Sequence, residues 1–296
     1  MTQQHRAEAA LFLTTFIWGS TFVVVKANSE NISSSLFIAL RFGIGALIFF
    51  IFLFKKLKTI QWQTIKNGMI LGAMLGIGIL LQNRGLYQTT ASKSAFITGL
   101  MVIFTPIAQL IIERRPPKIG NLIGIIIVTI GLYLLTAPSG SEINYGDILV
   151  LASSAIFGIY IVYLDIFSRN VNVLHLAFIQ VTTTTIIAVI AVFFEQVAFQ
   201  PTGELLTALL YMGICATVFT TYIQTRFQKD TTPTRAVIIF TIEPVIAACL
   251  AYYVLNEILG ISGIIGAAMI VFGILISEFF DLLLNRFGNK VQTGTE

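Results

Sequence analysis

Apolar runs of about twenty residues alternate with short polar stretches along almost the whole chain, and about twenty residues is what an α-helix needs to cross a bilayer. Ten such runs can be read, at roughly 9–27, 35–54, 67–88, 92–112, 119–137, 148–167, 173–194, 205–225, 233–254 and 259–280. The stretch 138–147 mixes Pro, Ser, Gly and Asn and divides the runs into two sets of five. The pattern predicts an all-α membrane protein of ten transmembrane helices, with one half in 1–138 and the other in 139–296. Five is odd, so the second half is expected to enter the bilayer in the opposite direction. The halves would then be two inverted five-helix repeats about a pseudo-two-fold axis in the membrane plane.

One helix is written twice. The run from Ala91 through Thr105 and Pro106 to Glu113 matches the run from Thr232 through Glu243 and Pro244 to Glu257. Each starts with small polar residues and a cation, is expected to break at a mid-helix proline, and ends near a glutamate. Glycine-spaced apolar helices follow both, from Gly124 to Gly131 and from Gly266 to Gly273. A repeat inside an apolar chain points to a transporter, because alternating access uses two halves that rock about a central site.

Composition agrees with lipid as the solvent. Only 11% of the residues are charged and the mean hydropathy is +0.88, against about 25% charged in soluble domains. The net charge of +4 suggests nucleic acid only until the cations are placed. With a cytoplasmic N-terminus, 14 of the 18 lie in segments on the inner side: Arg6, Lys55, Lys56, Lys58, Lys66, Arg114, Arg115, Lys118, Arg169, Arg226, Lys229, Arg235, Arg286 and Lys290. Glu30, Glu142, Asp147, Glu195, Glu204 and Glu257 fall on the outer side. Lys/Arg bias sets membrane orientation, so both termini are expected in the cytoplasm and no nucleic-acid partner is implied. Arg6 followed by an apolar run resembles a signal peptide but has no A-x-A site after it, and the run is taken as the first span. Cys215 and Cys249 sit inside apolar runs as packing residues.

Chemistry is sparse. No Walker P-loop, HExxH or GxSxG motif is present, so ATP does not drive the protein directly. No catalytic residue, metal ligand set or cofactor is expected. Glu243 is the sharpest candidate, about ten residues into its span, where a carboxylate costs roughly 2.5–3.5 kcal/mol on insertion scales. It either carries protons or contacts a substrate amine, or it is bonded to a neighbouring helix and holds the kink at Pro244. Pro106 takes the matching place in the fourth span; prolines of this kind free backbone carbonyls, which line transport sites or merely shape packing. Lys26, Arg41, Arg84 and Lys93 fall on the outer half of the first four spans. Arg41 is about 9 Å deep at 1.5 Å per residue. Converging, these cations would attract a carboxylate or phosphate; Lys26 and Lys93 alternatively snorkel to the interface. Trp18 is mid-span, to stack on a substrate or fill the core. Tyr87 and Tyr160 are polar groups within apolar spans, each in need of a hydrogen-bond partner.

These residues together resemble a known family. Trp18-Gly-Ser-Thr-Phe22, Arg41-Phe42, Thr90-Ala-Ser-Lys-Ser-Ala-Phe96, the Pro233-Thr-Arg-Ala236 and Ile242-Glu-Pro244 groups, and Asn256-Glu257 are similar to the drug/metabolite transporter superfamily in its ten-helix form with two EamA-type repeats. The resemblance covers nearly the whole chain. It implies a central cavity between two four-helix sets, with spans five and ten peripheral and available for packing or a homodimer. One departure stands out: three more residues separate Ala95 from Pro106 than Ala236 from Pro244.

The expected function is secondary transport in the inner membrane of a bacterium, exporting a small-molecule substrate such as an amino acid, with protons as the coupling ion. Multidrug efflux is the alternative within transport. A non-transporting membrane assembly protein is the alternative outside it, and predicts no central cavity or a Glu243 that faces lipid.

Overall fold

In hydrocarbon each backbone N–H and C=O must be satisfied within the protein, and a helix does this locally. The computed structural model describes residues 3–136, 144–258 and 260–292; the expected division at 138/139 and Glu142 lie outside the described residues, as do the side chains of Arg286 and Lys290. The helices are α1 (Gln3–Ala27), α2 (Ser34–Leu53), α3 (Trp62–Leu86), α4 (Ala91–Gly99), α5 (Met101–Glu113), α6 (Ile119–Thr136), α7 (Tyr145–Ser168), α8 (Val173–Val192), α9 (Gly203–Gly213), α10 (Thr220–Phe227), α11 (Pro233–Phe240), α12 (Glu243–Leu255) and α13 (Ile261–Gln292). A π-helical turn, Ile214–Phe219, joins α9 to α10.

Eight helical stretches are long and apolar enough to cross a membrane: Gln3–Ala27, Ser34–Thr59, Trp62–Leu86, Ala91–Glu113, Tyr145–Ser168, Val173–Val192, Gly203–Asp230 and Pro233–Leu255. Shorter apolar helices, Ile119–Leu134 and Ile261–Ser277, stand where spans five and ten were expected. Among the described residues there is no strand; the one β-type pairing joins Ile32 to Phe199 across two loops.

The duplicated helix is broken in both copies. Thr90 caps α4 by accepting from the Lys93 N–H, and Thr232 caps α11 by accepting from the Arg235 N–H. Both copies end on a left-handed residue, Arg114 at φ 55° and Asn256 at φ 54°, which closes a helix C-terminus. The breaks differ from the expected ones. A proline clashes with the carbonyl four residues back, which for Pro244 belongs to Phe240, the last residue of α11. For Pro106 the corresponding carbonyl is that of Val102, already within α5, and the interruption falls earlier, at Leu100. The two interruptions touch. A methyl group on Gly99 would stand 3.1 Å from Cγ of Pro244.

Close helix contacts rest on glycine, because small residues let backbones approach in lipid. The tight seams are α3 with α7, α3 with α8, α2 with α8, and α6 with α13. A methyl on Gly72 of α3 would lie 2.5 Å from the Gln180 carbonyl oxygen of α8, and one on Gly85 2.4 Å from that of Gly146 of α7. Along α6 and α13, Gly124 meets the Gly273 carbonyl and Gly131 the Gly266 carbonyl, each at 2.8 Å from such a methyl.

Polar ties close the ends. On the face where α1 begins, Arg235 pairs with Glu8 (3.2 Å) and Arg169 bridges Asp165 (2.5 Å) and Glu113 (3.7 Å). On the opposite face Lys93 pairs with Asp147 at 2.7 Å. There the Glu257 carboxylate accepts from the Ala91 N–H (3.1 Å), the Ser92 N–H (3.2 Å) and the Ser92 hydroxyl (2.5 Å), a favourable place for an anion at a helix N-terminus.

Two outcomes are expected. Gly72→Ala should lower stability by about 1–3 kcal/mol through overpacking against backbone, whereas Gly43→Ala, whose new methyl meets only Thr185 Cγ2 at 3.8 Å, should not; thermal unfolding followed by size-exclusion fluorescence compares them. Lys93→Met alone leaves Asp147 buried without its ion pair and should cost roughly 3 kcal/mol, while Lys93→Met combined with Asp147→Asn should recover part of the loss in the same assay.

Candidate functional site

A cavity of about 90 Å³ lies inside the helical assembly, room for several water molecules or a small solute group. Seven of the eight long helical stretches contribute to its wall and α8 does not. Much of its lining is apolar: Phe42, Leu75, Ile79, Met101, Phe157 and Phe240. Its polar lining consists of Thr21, Gln82, Thr98, Thr221 and Gln224, together with one basic and one acidic side chain, Arg41 and Glu243.

Glu243 owes its place to the interruption of the ninth expected span. It is the first residue of α12, with Pro244 next to it. Gly19 of α1 seats this turn: a methyl there would lie 3.0 Å from the Glu243 carbonyl oxygen and 2.7 Å from Ile246 Cβ. The Glu243 side chain is only 7% exposed and lines the cavity. Among the described residues its carboxyl has no hydrogen-bond or ion-pair partner. That arrangement leaves it open to a proton or to a cationic group of a solute.

Arg41 is held on the other side of the wall. Its Nε donates to the Thr217 hydroxyl at 2.9 Å and its Nη2 to the Ala216 carbonyl at 2.8 Å. Both acceptors belong to the π-helical turn. The guanidinium also lies 5.1 Å from the Phe42 ring centre. No ion pair joins Arg41 to Glu243 among the described residues, so the cavity wall carries a basic and an acidic side chain that are not in contact.

Gln82, Tyr160 and Gln224 are paired, as polar groups in a lipid-embedded wall require. Gln82 donates to Thr98 at 3.0 Å. Tyr160 donates to Gln180 (3.2 Å), which donates to Thr225 (3.0 Å). Gln224 donates to Gln228 (3.0 Å), which reaches the Ile161 carbonyl (2.7 Å). Trp18 is half-buried, lines the cavity and sets its edge on Phe240 with ring centres 5.2 Å apart.

Of the residues expected at the site, Glu243, Trp18, Arg41 and Tyr160 come together on the cavity wall. Pro244 lies behind Glu243 against Gly99, and Pro106 is buried within α5 away from the wall. Of the four cations on the outer half of the first spans, only Arg41 lines the central cavity among the described residues. Lys93 is paired with Asp147, and Lys26 donates to the Leu86 carbonyl at 3.2 Å. Arg84 is half-buried in the last turn of α3 and lines no cavity described here. Tyr87 donates to the Ile32 carbonyl at 2.9 Å. Thr21, Thr98, Thr217 and Thr221 were not anticipated. Thr21 follows Trp18 by one helical turn, a spacing that could have flagged it; the π-helical turn that carries Thr217 has no sequence signal of its own.

A second, larger cavity of about 740 Å³ lies at the face where α1 begins, among Gln109, Glu113, Arg115, Arg169, Asp230 and Arg235. Thr234 donates to Gln109 at 2.6 Å beside it.

Comparison with known proteins gives a consistent result. The model of the EamA-like transporter family matches residues 5–137 and again 144–279. An uncharacterized transporter of Archaeoglobus fulgidus is 31% identical over 91% of this chain and 85% of its own length. The uncharacterized transporter YoaV of Bacillus subtilis is 24% identical over 90% of this chain and 94% of its own. A solved crystal structure superposes with a TM-score of 0.77 at 17% identity, over 96% of this chain and 99% of the other, a likeness of fold alone. The chain therefore belongs to the EamA-like transporter family of the drug/metabolite transporter superfamily, a family of multi-pass membrane transporters rather than enzymes.

Proposed function

We propose that this transporter is a secondary exporter of the bacterial inner membrane, with both termini in the cytoplasm, that moves a small metabolite such as an amino acid outward in exchange for protons. The observation that carries the reading is Glu243: a carboxyl group, buried in a central cavity, with no partner among the described residues. Intramembrane carboxyl groups on a cavity wall are the usual sites of proton relay. A proton and the amine of a solute would compete for the same carboxyl group. Release of one then permits binding of the other, which is the requirement for exchange.

Ten transmembrane helices in two inverted halves are the frame we propose for that exchange. One family model matches both halves in succession. Arg114 and Asn256 end the two copies of the broken helix with the same left-handed turn. Lys93 pairs with Asp147 on one face, and its counterpart Arg235 pairs with Glu8 on the other. The face rich in Lys and Arg carries the larger cavity, so we read that cavity as a cytoplasmic vestibule. At the opposite face the Ile32–Phe199 pairing and the Glu257 cap on α4 support an outer side that is closed in this state.

Multidrug efflux is the second reading. The aromatic wall of Trp18, Phe42, Phe157 and Phe240 favours it, and it predicts transport of lipophilic cations with Glu243 as their counter-charge.

The test uses proteoliposomes loaded with a mixture of amino acids, with efflux measured by mass spectrometry with and without acid on the receiving side. Gradient-stimulated efflux of at least one amino acid is expected in the wild type. In Glu243→Gln it should fall to the rate seen without a gradient. Full gradient-driven efflux in that variant would remove the proton role; efflux of ethidium without any amino acid would favour the second reading.

A further inference from the structure

The geometry points to a carboxylate-binding subsite on Arg41, built by the π-helical turn Ile214–Phe219, with Thr217 as its positioning residue. This rests on the central cavity being the transport site. It assigns a place to the carboxylate of the solute.

A guanidinium offers five N–H donors in a flat fork. Here one edge is used by the protein. Nε donates to the Thr217 hydroxyl and Nη2 to the Ala216 carbonyl. The other edge, Nη1 with the second hydrogen of Nη2, has no partner among the described residues, in a side chain that lines the cavity. Two parallel donors on that edge match a carboxylate in the bidentate way that makes Arg pairs strong and directional.

The turn has the features of a built mount. Thr217 accepts from Arg41 while its own hydroxyl donates to the Met212 carbonyl, five residues back, at 2.9 Å. The Ala216 carbonyl accepts both from Arg41 and from the Thr220 hydroxyl, at 2.9 Å. Single π turns of this kind often occur at functional sites. The approach is also shaped. A methyl on Gly45 would meet Thr217 Cγ2 at 2.9 Å, and one on Gly213 would meet Ile44 Cγ2 at 2.7 Å, so both glycines let α2 lie against the turn. Chemistry that only packed a span would not place a buried cation there, since such a charge costs roughly 2.5–3.5 kcal/mol on insertion scales.

Binding of two probes that share one apolar group separates the charges. Isocaproate carries a carboxylate and isoamylamine an amine. Trp18 reports on the cavity in a Trp62→Phe background, where it is the remaining tryptophan of two. In that protein isocaproate is expected to change Trp18 fluorescence saturably. Loss of the charged pair should weaken it at least about tenfold in Arg41→Gln. Thr217→Val should weaken it in the same direction and Thr217→Ser should restore it, an outcome that a mere packing role for the methyl group would not give. Isoamylamine binding should not weaken in any of these variants, which shows that the cavity is still formed. Absence of saturable isocaproate binding to the parent, or its survival in Arg41→Gln, overturns the subsite. Equal losses in Thr217→Val and Thr217→Ser overturn the role of Thr217. Because isocaproate has no amine and the assay has no gradient, failure here is distinct from failure of proton exchange at Glu243.

Discussion

Water does not reach the hydrocarbon core, so wherever a spanning helix is interrupted its loose backbone groups must find partners inside the protein. The architecture around the cavity follows from that constraint. Each copy of the duplicated helix exposes N–H groups at its start, and the two copies answer differently. Thr90 and Thr232 cap in the same way. Next to Thr90 the free donors of Ala91 and Ser92 are taken by Glu257 from the other half of the chain. Next to Thr232 stands Pro233, which has no N–H to satisfy. The first solution uses a distant carboxylate on the backbone; the second needs none there, and its ties run through side chains, Arg235 to Glu8 and Thr234 to Gln109. The start of α11 also stands beside the larger cavity.

Much of this was legible in the chain. Apolar runs located the eight long helices and the two shorter ones, because a lipid-facing helix must be apolar over a fixed length. The repeat pointed to Glu243 and Pro244 together. The interruption of span four was misplaced because its position depends on what packs there: Gly99 admits the Pro244 ring, a contact between residues 145 positions apart in a chain of 296. Arg41 could be picked out as a deep cation, but its partners could not. Thr217 lies in a stretch that reads as ordinary helix, and only the tertiary contact with α2 distinguishes it. Arg84, like Arg41, is a cation inside an apolar span; packing brings Arg41 and not Arg84 to the central cavity.

The cavity is asymmetric where the repeat would make it symmetric. Ser33 precedes α2 and Asn172 precedes α8; eight residues beyond each stand Arg41 and Gln180. Gln180 is neutral and fully engaged, between Tyr160 and Thr225. Its counterpart Arg41 is charged and keeps three of its five N–H donors without a partner among the described residues. The same holds along the broken helices, where Thr105 precedes Pro106 and Glu243 precedes Pro244. Each half therefore supplies one charge, at a different point of the shared frame.

Stability alone would not select this pair. Had Arg41 and Glu243 been in contact, a buried ion pair could serve specificity of folding, though apolar residues often replace such pairs without loss. They are not in contact. Each carries its own desolvation cost, Arg41 partly offset by Thr217 and Ala216, Glu243 by no hydrogen bond among the described residues. Residues of this cost in a membrane interior persist where an ion or a solute completes their bonding for part of a cycle. An acidic and a basic side chain that share an otherwise largely apolar cavity wall without touching are the feature on which the proposed exchange and the proposed carboxylate subsite both rest.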